Sequence, residues 1–218
     1  MSLLACWSWG CSFAEKGQLV VLDEAVARYT DMCDQFGEDM AYTVTIPDSG
    51  VLTIDDAVRR MGYTATDLQD PDDLPHPRGS ISLHQVGAGI VTLDWVFPVP
   101  ERRQVTDHLG GEGFRHWYVA FDINGCTSMH VRYGEAEGDL EGPEPASRPF
   151  TPWTEVLGPM SAYVGLFNRC YDSEEADASV DIVAACLAVV EAQSGVRLDW
   201  ELMNSPAPIL SLPIPDFA

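Results

Sequence analysis

Three side chains in one short stretch have the chemistry to move protons. Tyr118, Asp122 and His130 fall between residues 112 and 134. A histidine titrates near neutral pH, so a His and a carboxylate on one surface outline a general acid–base site. That would suit a small cofactor-independent enzyme of specialised metabolism, a cyclase or isomerase. The same stretch holds Trp117, His116 and Arg132, which can contact a ligand or partner, and Trp153 in a proline-rich loop is a further candidate contact.

A hairpin must position these groups. β-Branched and aromatic residues dominate 112–134, with Asn124-Gly125 in the middle. A two-residue turn on Asn124-Gly125 would mix apolar and polar residues on both faces. A three-residue loop of Ile123, Asn124 and Gly125 pairs Phe121 with Thr127, Val119 with Met129 and Trp117 with Val131, and one face becomes apolar. Gly125 then takes the loop position that needs a positive φ. This register is the expected one, because a slip by one residue would turn the buried set toward water. The opposite face carries Tyr118, Asp122, Cys126, Ser128, His130 and Arg132, with His130 across from Tyr118 and His116 across from Arg132. That face is either solvated or functional.

Other catalytic signatures are missing. The chain has no H-E-x-x-H, no Walker loop and no G-x-S-x-G. Gly87-Ala88-Gly89 leads into a strand and reads as a hairpin turn. His84 and Asp94 could join His116 or His130 around a metal, but spacing gives no support, so neither metal nor cofactor is expected. Arg59-Arg60, Arg102-Arg103 and Arg132 are rare positive points; a clustered pair could hold a phosphate or carboxylate, though Arg59-Arg60 suits ordinary ion pairing on a helix.

Charge narrows the partners. The chain has 218 residues, 34 Asp plus Glu against 12 Lys plus Arg, and a formal net charge of -22. Such a surface argues against nucleic acid and anionic membranes, and favours a basic protein partner. A small-molecule ligand remains open. The six cysteines form no C-x-x-C pair and read as reduced thiols in a cytoplasmic protein. Leu3-Leu4-Ala5-Cys6 looks like a lipoprotein box but lacks a basic start and a long apolar run, so no signal peptide is expected. No apolar run is long enough to span a membrane.

The expected fold is α+β: one domain over 1–218, with an antiparallel sheet of about four to five strands against three to four helices. Apolar periodicity predicts helices over 22–36 and 179–193, the latter the strongest, with shorter ones at 53–61, 101–109 and 159–168. One more turn of helix is expected at 198–203. Strands are expected at 42–46, 80–83, 89–97 and in the central hairpin. Residues 70–79 and 135–152 read as loops rich in Pro, Gly and acid. The tail, 204–218, carries four prolines; it should run extended over the surface, burying Ile209, Leu210 and Leu212 in places.

Two stretches carry a resemblance. F-R-H-W-Y-V-A-F-D-I-N-G at 114–125 resembles a strand in a family of uncharacterised actinobacterial cytosolic domains. A-A-C-L-A-V-V-E-A-Q-S-G-V-R-L-D at 184–199 resembles that family's closing helix and its T/S-G-V-x-L segment. The resemblance implies a cytosolic α+β domain and assigns no catalytic residue.

Two functions compete on these observations. Immunity proteins and adaptors against cationic partners are often compact acidic α+β domains, since negative charge steers a basic partner into contact. The alternative is the small enzyme working through Tyr118, Asp122 and His130. A deep pocket touching the hairpin face would favour the enzyme; a flat acidic face with an exposed aromatic would favour the binding module.

Overall fold

The structure, a computed structural model, describes residues 11–35, 39–70, 79–95, 100–122, 127–141, 156–171 and 180–212. Its centre is one eight-stranded sheet of order β2-β8-β3-β4-β1-β5-β6-β7, with every neighbouring pair antiparallel. The strands are β1 (Met40–Pro47), β2 (Leu68–Gln69), β3 (Ser80–Val86), β4 (Gly89–Asp94), β5 (Phe114–Phe121), β6 (Thr127–Tyr133), β7 (Ala136–Glu141) and β8 (Ile209–Ser211). Six α-helices are described: α1 (Cys11–Cys33), α2 (Ile54–Arg60), α3 (Pro100–Asp107), α4 (Val164–Tyr171), α5 (Ile182–Ser194) and α6 (Trp200–Asn204). The α+β class and the antiparallel sheet are as expected. The sheet is nearly twice the expected width, while all six described helices overlap segments expected to be helical, three to four of them expected to pack on the sheet.

Two of the three extra strands, β7 and β8, have a clear reason. The expected loop at 135–152 begins with β7. Gly134, at φ +61, opens a two-residue turn that sets Tyr133 against Ala136. In β7 the buried apolar side chain is Leu140, so the strand's own composition is weak; pairing with β6 supplies the context that propensity lacks. Gly138 and Gly158 then meet backbone to backbone. A Cβ on either would collide with a carbonyl of the other segment, Leu157 or Glu137, so the 3-10 turn Gly158–Tyr163 can lie close against this edge strand. The tail also departs from expectation. Ile209–Ser211 is a proline-free window between Pro208 and Pro213, keeps its N–H groups, and forms β8 between β2 and β3. Ile209, Leu210 and Leu212 are buried, as expected.

Period-two alternation divides the sheet into two faces. One packs on α1, α4 and α5, with Tyr42, Val44, Trp117, Val119, Met129, Val131 and Leu140 meeting Phe167 and Leu187. α5 is enclosed: every residue from Val183 to Val190 is buried, so its apolar stripe is a whole circumference. Asp181 caps its start by accepting from the Ala184 N–H at 2.9 Å, and Gly195, at φ +72, ends it. α1 begins at Cys11, well before the expected start at residue 22. Tyr29 ties α1 to α5 by donating to Glu191 Oε2 at 2.8 Å, while Arg28 pairs with the same carboxylate at 2.7 Å.

The second face packs on α2 and α3. Leu52, Ala57, Val58 and Met61 meet Ile81, Leu83, Ile90 and Leu210. Thr53 caps α2 by accepting from the Asp56 N–H, as its sequence suggests. Among the described residues, no helix is long and apolar enough to cross a membrane.

Candidate functional site

The hairpin forms in the expected register. Trp117 pairs with Val131, Val119 with Met129 and Phe121 with Thr127, which places Tyr118 opposite His130 and His116 opposite Arg132. The loop residues 123–126, Cys126 among them, and Trp153 lie outside the described residues. Trp117 points to the α5 side; it is fully buried and donates from Nε1 to Gln193 Oε1 at 2.7 Å.

Most of the described polar face of the hairpin is covered, though Ser128 and Arg132 stay partly exposed. His116 is 0% exposed, Tyr118 4%, His130 7% and Asp122 9%, so a solvated sheet face is not what forms. Helix α3 lies over it. The register continues across the sheet and lines up Thr92, Thr43, Tyr118, His130 and Asp139 in one row. His130 Nδ1 is 2.7 Å from Asp139 Oδ1, and the hydrogen bond from His130 holds the Asp139 carboxyl below its ordinary range. Arg103 reaches down from α3 to within 3.5 Å of Asp139 and 3.4 Å of Asp107, its guanidinium 5.8 Å from the Tyr118 ring centre. Burial, and then the Asp94 carboxylate, push the Tyr118 phenol up.

The adjacent row holds His116. Its Nδ1 is 2.8 Å from Thr45 Oγ1, and its Nε2 is 3.8 Å from Asp107 Oδ1, too long for a hydrogen bond. Burial pulls the His116 pKa below its ordinary value although Asp107 opposes the shift. At the far end of α3, Arg102 donates to both oxygens of Asp94 at 2.7 and 2.8 Å. The Arg102 side chain is 4% exposed and Asp94 8%. Burial nonetheless raises the Asp94 carboxyl, outweighing Arg102. The anion held by the Arg102-Arg103 pair is therefore the protein's own.

Thus the structure brings Tyr118, His130, His116 and Arg132 onto one face. Asp122 lies one residue past the end of β5, outside the row of Tyr118 and His130. The carboxylate that does meet His130 is Asp139, absent from the sequence-derived set because β7 reads as loop. The Gly-X turn after Tyr133 followed by acids at every second position was the available signal. Chemically, Asp139 and His130 form the oriented carboxylate–imidazole pair that a general base uses.

Access is the other half of the chemistry. Among the described residues, two of the grooves that indent the surface stand out. One, about 540 Å³, lies between α1 and the start of α5, with Asp23, Val26 and Arg169 in its wall; the other, about 410 Å³, lies beside α2, with Val51, Arg60 and Phe114. Neither touches Tyr118 or His130. Among the described residues no three His, Cys, Asp or Glu side chains are grouped to hold a metal ion. Burial lifts the thiols of Cys33 and Cys170 to about 12 and about 11, which removes thiolate character at neutral pH.

No family model matches the chain, and neither a curated protein nor a solved structure matches it. The likeness of 114–125 and 184–199 to the actinobacterial domains gains nothing from these comparisons, and the site rests on its own geometry.

Proposed function

We propose that this chain is an acidic protein-binding module of immunity or adaptor type, and that its partner presents a basic surface. The observation that carries the reading is the fate of the positive charges. Of nine arginines among the described residues, Arg28, Arg59, Arg102, Arg103, Arg115, Arg132, Arg169 and Arg197 each stand in an intramolecular ion pair. The ninth, Arg60, donates to the Gly110 carbonyl and stacks on Phe114. The surface left over is acidic: Glu24, Asp31, Asp34, Asp55, Glu101, Glu112, Glu135 and Glu201 are all exposed. Trp200, 44% exposed between Asp199 and Glu201, supplies an aromatic on that surface. A field of one sign steers an oppositely charged partner and raises its on-rate.

Capture from lysate of the native host, washed at low and at moderate salt, tests this. One basic protein held near stoichiometry and released by salt is the expected result. A retained small molecule with no protein partner sinks the reading.

The alternative is the enzyme. The 2.7 Å contact between His130 and Asp139, with Tyr118 one strand away, favours it. The cover over Tyr118 and His130 and the distance of both grooves from them weigh against it, although Asp139 itself is half-exposed.

A further inference from the structure

Helix α3 docks on the sheet with little apolar anchorage of its own. Its buried residues are Arg102 and Thr106, and Val105 is half-buried at the margin of the α2 cluster. At the seam beneath it, Arg103 Nε, Asp107 Oδ1 and His116 Nε2 are buried without hydrogen-bond partners. Orphaned polar atoms favour any state in which water reaches them. Among the described residues, apolar attachment strengthens after the helix. Leu109 is fully buried, the Gly110 carbonyl accepts from Arg60 at 2.7 Å, and Gly111 sits at φ +118, open to glycine and strained for other residues.

We propose that α3 is a lid, hinged at Gly110-Gly111 and latched by the Arg102–Asp94 pair, that lifts to open the Tyr118–His130 layer to water or ligand. Lifting gives the three orphaned atoms water and rehydrates the Asp94 carboxylate; it surrenders the Arg102–Asp94 and Arg103–Asp139 pairs, the Arg103–Tyr118 contact and the packing of Val105. The latch joins the helix's N-terminal half to β4, opposite the hinge, so its loss loosens that end, with Arg103–Asp139 as the remaining ion pair to the sheet among the described residues. Segments with few buried apolar contacts open at lower free energy than the core around them. The proposal stands whichever reading of function holds: for an enzyme the lid admits substrate, and for a binding module it exposes a second polar surface.

Hydrogen exchange of the full chain at constant pH, followed by mass spectrometry, tests it. In the wild type, amides of α3 should exchange at least about a hundredfold faster, after correction for intrinsic rates, than those of Leu187–Val190 in α5. Arg102→Gln should speed α3 by a further factor of about ten or more and leave α5 within about twofold, with Arg102→Lys in between. Equal protection of α3 and α5 in the wild type would overturn the lid. No response of α3 to Arg102→Gln, or a parallel loss in α3 and α5, would overturn the latch. If Arg102→Gln does not fold, the wild-type comparison and Arg102→Lys decide the matter.

Discussion

On the α5 side of the sheet, eight consecutive helix residues from Val183 to Val190 are buried against an apolar strand face. On the α3 side, the helix contributes Arg102 and Thr106 to the interior and meets His116, Tyr118, Asp139 and Asp94. Both interfaces exclude water. The first does so by hydrophobic transfer and close packing, which lose free energy in proportion to what is removed. The second does so by polar pairing, in which desolvation nearly cancels attraction. The lesson is that burial alone does not mark an anchor, since desolvating both charges of a buried pair offsets much of their attraction.

Truncation on the apolar side should have the largest effect. Leu187→Ala removes a fully buried side chain and should cost about 2–5 kcal/mol in urea unfolding. A cost under about 1 kcal/mol would dissolve the contrast between the faces.

Acid should come next, and on the polar side. Burial holds His116 and His84 below the ordinary histidine value. In the interval between that depressed value and about 6.5, the unfolded chain binds more protons than the native one. Stability is therefore complete above about pH 6.5 and falls as pH drops below it, by at most about 1.4 kcal/mol per histidine per pH unit. Urea melts at three pH values between neutrality and pH 5.5 measure this slope, and His116→Asn should flatten it. A slope of the opposite sign would place a charged histidine in the native state.

Removing the latch should cost less than its burial suggests. Stranding one member of a buried ion pair usually costs about 3–5 kcal/mol. If α3 lifts, Asp94 regains water, and Arg102→Gln should cost under about 2 kcal/mol overall. The full penalty would join α3 to the core. Replacing both partners, as Asp94→Leu with Arg102→Met, should be neutral or stabilising.

These contrasts were unevenly written in the sequence. The hairpin register was legible because only one register gathers Trp117, Val119, Phe121, Met129 and Val131 on one face. The helix at 182–194 was legible from its apolar run and Gly195. β7 was not, because a strand with one buried apolar side chain looks like a loop until β6 and the Gly138–Gly158 contact hold it. With β7 went Asp139, the partner of His130. β8 was hidden by prolines on either side of a three-residue window. The cover over Tyr118 was hidden too: P-E-R-R-Q-V-T-D reads as a surface helix, since burial of Arg102 depends on Asp94 from another strand.

The smallest effect should come from the residues with the most chemical promise. Tyr118→Phe and His130→Gln should leave partner binding unchanged, because both side chains are under the α3 cover while the exposed surface is acidic. Capture of the partner by wild type and by the Tyr118→Phe/His130→Gln double variant, side by side at low and moderate salt, tests the binding reading most directly. The account predicts the same basic protein on both baits, in equal amount and equally released by salt. Loss of the partner from the variant, or a small molecule held by the wild type alone, would contradict it and move the function to the layer beneath α3.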